Sequence, residues 1–232
     1  MIGNEFSLDV HLTTIVEAAK LASLLPQFNN IVSLALDLSC CFSAVVDTLV
    51  TSISHRTLER LVLRRISLTP VVIGALGRLL PEMTSLEALE LTGVNRKVLQ
   101  AEDIKALFGR FHKTVPLRNL TFSDFSVTGC LAPLTKSLQF FPRLTYLNLE
   151  NLGMDEHDLN DLLKSFQFIP NLWMLNLSYN PLGRALRSIV SHVSNLQKLR
   201  YLSICMTCDS KKDLKYVQSS VQRALPRLEI ST

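Results

Sequence analysis

A phrase of the form Leu-x-x-Leu-x-Leu returns every 27 to 31 residues along this chain, and that recurrence restricts the possible fold more than any other property. Its first leucines are Leu58, Leu86, Leu117, Leu144, Leu172, Leu199 and Leu228, spaced 28, 31, 27, 28, 27 and 29 residues apart. A unit this short cannot bury its own apolar face, so a fixed period of this size predicts a solenoid in which each unit packs on its neighbour. Within residues 144–150, Leu147 and Leu149 alternate with Tyr146, Asn148 and Glu150, the period of a strand with one buried face. Asp155 then stands where a helix cap is needed, ahead of Leu159, Leu162, Leu163 and Phe166 at helical spacing. Pro170 is expected to stop that helix. The same plan predicts strands at 175–177 and 202–204, with helices near 184–194 and 211–224. Weaker strand phrases at 31–36 and 7–10 extend the pattern toward the start.

The expectation is therefore an α/β chain in which residues 1–232 form a single array of about eight or nine repeats. Its 47% hydrophobic and 19% charged content suits a stack with two buried faces. Both ends carry strand phrases without polar caps, so the chain is expected to be a portion or short form of something larger, or to have an end covered by a partner. Residues 30–50 approach the length of a membrane span, but Asp37, Asp47 and the strand phrase inside them argue for a non-membrane reading. The start has no signal-sequence pattern, and the five cysteines are an odd number, which together point to a reducing cytoplasmic or nuclear setting.

Catalytic and metal-binding patterns are missing. Cys205-Met-Thr-Cys208 has the spacing of half a zinc site, yet Cys40 and Cys41 would lie six strands away, roughly 29 Å at about 4.8 Å per strand. Cys205 also ends a strand instead of opening a helix, so small residues filling turn positions explain the pair. His11, His55, His112, His157 and His192 are scattered, and no nucleophile elbow or phosphate loop is present. Glu102-Asp103 and Asp155-Glu156 fall at helix starts, where the helix dipole favours negative charge. The sequons at Asn119 and Asn176 lie on strands and are read as unused. These residues imply a non-enzyme with no metal and no cofactor.

The net charge of +4 is mild, and Arg60, Arg64 and Arg65 form its densest cluster. Asp37, Glu87 and Glu90 on neighbouring strands can neutralise that cluster, and Lys211, Lys212 and Lys215, interspersed with Asp209 and Asp213, read as an exposed helical face. No nucleic-acid partner is expected.

The phrases at 86–91, 144–149 and 172–177 resemble the leucine-rich repeat superfamily, and specifically its ribonuclease-inhibitor-like class. The resemblance implies a right-handed horseshoe arc, with short parallel strands on the concave face and helices on the convex face. Superfamily members place Asn or Cys three residues after the last strand leucine to bond turn backbone; Asn180 obeys, whereas Ser39, Ile66, Val94, Phe125, Leu152 and Thr207 do not. Such irregular repeats are similar to those of PRAME-type substrate receptors of ubiquitin ligases and of NLR innate-immune sensors. The first implies elongin and cullin components as partners, and Leu36, Cys40 and Ala44 match the spacing of an elongin-binding box, with Ala35 in place of its usual Ser, Thr or Pro. The second implies NLR-associated proteins as partners and a nucleotide-binding domain upstream, none of which is in this sequence.

Aligning the repeats stacks their outward residues in columns. The first column reads Arg60, Ala88, Asn119, Tyr146, Met174 and Tyr201, beside Val62, Glu90, Thr121, Asn148, Asn176 and Ser203, with Glu150 in the third. Tyr146, Met174 and Tyr201 should form a ledge roughly 10 Å long, and aromatic and Met side chains framed by polar groups are the composition of protein-binding hot spots. Tyr146, Asn148, Glu150, Met174, Asn176 and Tyr201 are therefore the candidate partner-binding residues.

Overall fold

The computed structural model describes residues 6–28, 30–39, 43–53, 57–94, 97–193, 195–208 and 210–232. Strands and helices alternate: β1 (Phe6–His11), α1 (Ile15–Leu24), β2 (Ile31–Asp37), α2 (Ser43–Thr51), β3 (Arg60–Ile66), α3 (Pro70–Leu79), β4 (Ala88–Gly93), α4 (Ala101–Phe108), β5 (Asn119–Ser123), α5 (Ala132–Ser137), β6 (Tyr146–Asn148), α6 (Glu156–Ser165), β7 (Met174–Asn176), α7 (Ile189–Val193), β8 (Tyr201–Ser203), α8 (Lys211–Ala224) and β9 (Glu229–Ser231). The nine strands form one sheet in the order of the chain, and every neighbouring pair is parallel. Successive parallel strands joined by crossovers of one hand place their helices on the same side, where each helix packs on the next, so that among the described residues the other face of the sheet has no helix.

The leucine phrase builds this sheet directly. Leu34, Leu61, Leu89, Leu120, Leu147, Leu175 and Leu202 lie opposite one another from β2 to β8, and each is 2% exposed or less. Full burial of one such side chain contributes about 1.5–3 kcal/mol, so the ladder and the helix faces packed on it are the main source of stability. The helices supply Leu76, Leu107, Leu134, Leu162, Ile189 and Val221 to the same continuous core.

Three expectations need correction. The α6 helix ends at Ser165 and tightens into a 3-10 turn at Phe166–Phe168, whose carbonyl at Phe166 receives the Ile169 N–H; Pro170 arrives after the helix has already closed. The helix expected near 184–194 is a 3-10 segment at Gly183–Ser188 followed by the short α7. The last phrase is one residue shorter than the others: the Leu228 N–H bonds Leu225 as that of Leu199 bonds Leu196, yet Ile230, two residues on, pairs with Leu202. No helix among the described residues is long and apolar enough to cross a membrane. Cys40, Cys41, His55 and Asp209 lie outside the described residues.

Candidate interaction surface on the helix-free sheet face

The face opposite the helices is made of the residues that alternate with the leucine ladder. Its first column is Ser33, Arg60, Ala88, Asn119, Tyr146, Met174, Tyr201 and Glu229, each directly opposite the next. Tyr146, Met174 and Tyr201 thus sit side by side on β6, β7 and β8, all half-buried. Ala88 is the smallest member of the column, and a hollow of about 290 Å³ lies there, bounded by Arg60, Glu90, Asn119 and Tyr146. Burial pushes the Tyr146 hydroxyl above the usual tyrosine range, and the nearby Glu90 and Glu150 carboxylates push the same way. Tyr146 is therefore a neutral donor and acceptor at the edge of that hollow.

The polar candidates serve partly to hold the backbone. Asn148 Oδ1 accepts the Glu150 N–H at 3.0 Å, and Asn176 Oδ1 accepts the Ser178 N–H at 3.0 Å, so each asparagine fixes the exit from its strand. The Asn176 amide also donates to Glu150 Oε2 at 3.0 Å. These contacts set the position of Glu150 at the border of the face.

Trp173 was missed by strict alternation. At the start of β7 the N–H groups of both Trp173 and Met174 donate to the Thr145 carbonyl, at 2.7 and 3.0 Å. The same double donation occurs at Glu87/Ala88, Arg118/Asn119, Thr145/Tyr146 and Arg200/Tyr201. It acts as a bulge, interrupting alternation at the first residue of each pair. Trp173 is consequently 47% exposed and meets Tyr201 edge-on, with ring centroids 4.5 Å apart, which lengthens the aromatic surface toward the strand starts. The signal lay in the phrase itself, which has two residues between its first leucines and only one between the next pair.

Charges at the N-terminal end of the sheet are largely paired. Arg64 Nε donates to Glu90 at 2.8 Å, Arg65 pairs with Asp37, and His11 stands 3.1 Å from the same aspartate. Glu87 faces Arg118 at 3.6 Å, whereas Arg60 reaches Ser33 Oγ at 3.4 Å. On α8, Lys211, Lys212 and Lys215 are exposed as expected, but Asp213 is buried and takes the Arg187 guanidinium at 2.6 Å.

Asp155, His157 and Asp158 bring three ligand atoms within 4.8 Å of one another. Asp158 is fully buried, and its carboxylate already accepts the Gly129, Leu131 and Asp155 N–H groups at 2.7, 2.9 and 3.4 Å. Its structural role as a clasp between consecutive repeats accounts for that geometry. Cys205 Sγ lies 3.2 Å from Ser231 Oγ, and that hydroxyl, with those of Ser203 and Ser178, draws the thiol below its usual range. The Sγ of Cys208 instead accepts the Ser210 N–H at 3.4 Å.

No family model and no characterised protein sequence matches the chain. Solved structures do match it, among them the crystal structure of a protein from Bacteroides fragilis, 16% identical with a TM-score of 0.48. The match covers 93% of this chain and 60% of that protein, so the chain spans about three-fifths of its length.

Proposed function

We propose that this chain is a leucine-rich repeat solenoid of the ribonuclease-inhibitor-like type that works as a non-enzymatic scaffold, recognising a protein partner through the concave, helix-free face of its sheet. One observation carries the reading. Parallel sheets are ordinarily covered on both faces, and here the uncovered face holds Tyr146, Met174 and Tyr201 in adjacent strands, extended by the exposed Trp173. Large aromatic and Met side chains held in place by a rigid ladder lose little conformational freedom on binding.

Substrate recognition within a ubiquitin-ligase assembly is the cellular setting the irregular repeats favour, with elongin or cullin components as neighbours. The arm of an NLR-type receptor is the alternative. The elongin-like spacing does not contribute to this reading: Leu36 is 1% exposed in the core of β2, and Cys40 lies outside the described residues.

Affinity purification identifies the partner, and titration of that partner against variants tests the surface. Tyr146→Ala and Tyr201→Ala should each weaken binding by about 1 to 4 kcal/mol, the range for truncated anchors, with little change in folding. Unchanged affinity in both folded variants would remove the face as the recognition surface.

A further inference from the structure

The rim at the N-terminal ends of β5 to β8 contains a cleft of about 670 Å³ lined by Arg118, Arg143, Thr145, Asn171, Trp173 and Lys198. The repeat explains the lining. Arg143, Asn171 and Lys198 each immediately precede the first leucine of their phrase, while Arg118, Thr145 and Trp173 each follow it, where the doubled N–H donation turns the side chain outward. Among the described residues three cations line the cleft and no acid does; Arg118 faces Glu87 at 3.6 Å, which leaves Arg143 and Lys198 for a ligand. Arg143 is exposed, with no hydrogen-bond or ion-pair partner among the described residues. Lys198 Nζ donates to Asn171 Oδ1 at 2.6 Å, and the Asn171 amide is itself tied to the Pro142 carbonyl at 3.0 Å, so the ammonium is held over the cleft. The exposed Trp173 immediately precedes β7, between the repeats that carry those two cations, and is braced by Tyr201.

We infer that this cleft docks an acidic segment of a protein partner, with carboxylates on Arg143 and Lys198 and an apolar side chain against Trp173. This deepens the proposed function and rests on it, because Trp173 and Tyr201 join the cleft to the ledge. Arg143 precedes β6 and Lys198 precedes β8, so the two cations stand two strand spacings apart, roughly 10 Å. Side chains of an extended peptide that face the same way recur every second residue, about 6.6 Å apart at about 3.3 Å per residue. The complementary segment therefore has acidic residues at its first and fifth positions and an apolar residue at its third, about 13 Å from end to end, a span within reach of the long Arg143 and Lys198 side chains. A guanidinium can take a carboxylate through two parallel N–H bonds, which favours arginine for such a contact. Single-stranded nucleic acid is the weaker fit, since it calls for successive stacking platforms along a basic groove, and Trp173 and Tyr201 meet edge-on at 63°.

Trp173 is the only tryptophan in the chain, so its intrinsic fluorescence reports on this cleft without a label. The probes are a tryptophan-free peptide containing Glu-Ser-Leu-Ser-Glu, its Gln-Ser-Leu-Ser-Gln counterpart, and an oligouridylate of matched charge. The Glu peptide should produce a saturable change in emission with at least about tenfold higher affinity than the Gln peptide, a ratio worth 1.4 kcal/mol. Added salt should weaken it, as screening of exposed charges requires. Arg143→Glu and Lys198→Glu should each weaken it about tenfold or more, while Arg143→Lys, which keeps the charge and loses the paired N–H bonds, should weaken it less than Arg143→Glu. Circular dichroism confirms that these surface variants are folded. No response, equal response to both peptides, or unchanged affinity in the reversed variants would overturn the inference, as would tighter binding of oligouridylate. The ledge is separable: the Glu peptide should still bind Tyr146→Ala, which lies outside the cleft. If the full partner is lost by Tyr146→Ala and kept by Arg143→Glu, the cleft assignment fails and the ledge stands. If the Glu peptide binds as expected while both tyrosine variants keep the full partner, the ledge fails instead.

Discussion

Asn180 is fully buried, and every polar atom of its side chain is engaged. Its amide donates to the Leu149 and Leu177 carbonyls at 2.8 and 2.9 Å, while its oxygen accepts the Leu152 and Met154 N–H groups at 3.0 and 3.1 Å. One side chain thus joins two consecutive repeats. Asn180→Ala leaves several backbone groups buried and unpaired, each costing about 1–3 kcal/mol before water enters. A loss of about 3 kcal/mol is expected in urea unfolding, seen as a lower midpoint. This role was legible, because Asn180 stands three residues after a strand leucine. Thr207, at the equivalent position and counted among the departures, performs part of the same task by donating to the Ile204 carbonyl at 2.7 Å. Asp158 was not legible, since an acid in the first helical turn ordinarily reads as solvated. Only the tertiary approach of Gly129 and Leu131 shows that its carboxylate is enclosed. Asp213 provides a test in pH: the Ser210 hydroxyl and then Arg187 hold its carboxyl below the usual aspartate range against the effect of burial. A folded value below the unfolded one means stability that is present above the ordinary aspartate range and is lost as pH falls through the folded value. The stability gap between the wild type and Asp213→Asn should therefore narrow on acidification below about pH 4; a gap constant with pH would contradict the assignment.

Between strands and helices, the chain is held together by close backbone approaches as well as by leucines. Gly77, in α3, faces α4 so closely that a Cβ would overlap the Ala106 carbonyl. Gly77→Ala must push the two helices apart, and about 1–3 kcal/mol of lost stability is expected from such overpacking, measurable as a lower midpoint in thermal or urea unfolding. The turns after the strands also repeat. Asp124, Asn151, Tyr179 and Met206 all have positive φ, between 54° and 63°, at intervals of 27 or 28 residues. Asp and Asn accept that conformation readily, whereas Tyr and Met do so at a steric cost. Strand existence, order and spacing were readable because the leucine period is strong. Helix ends and the shift at Leu228 were not: 3-10 closure and a single-residue deletion leave the apolar spacing nearly unchanged while altering hydrogen-bond register.

Across the whole molecule, charge and apolar surface are distributed unevenly along the sheet. The end near β1 to β4 carries internally paired ions, including Arg64–Glu90 and Arg65–Asp37, which leaves little for a partner to satisfy. The end near β6 to β8 carries the aromatic ledge and Arg143, which is unpaired among the described residues. The columns that expose this asymmetry could be aligned from the repeat alone, because parallel register preserves the spacing of the phrases. The rim could not, since its orientation depends on which carbonyl receives each N–H. The most direct test of partner recognition through this face is photo-cross-linking in cells that express the protein, with a photoreactive residue placed singly at Met174 or Tyr201 and, as helix-side controls, at the exposed Lys136 or Gln167. Discrete protein adducts should form from Met174 and Tyr201 and not from the two controls. Adducts confined to Lys136 and Gln167 would place recognition on the helices and contradict the account.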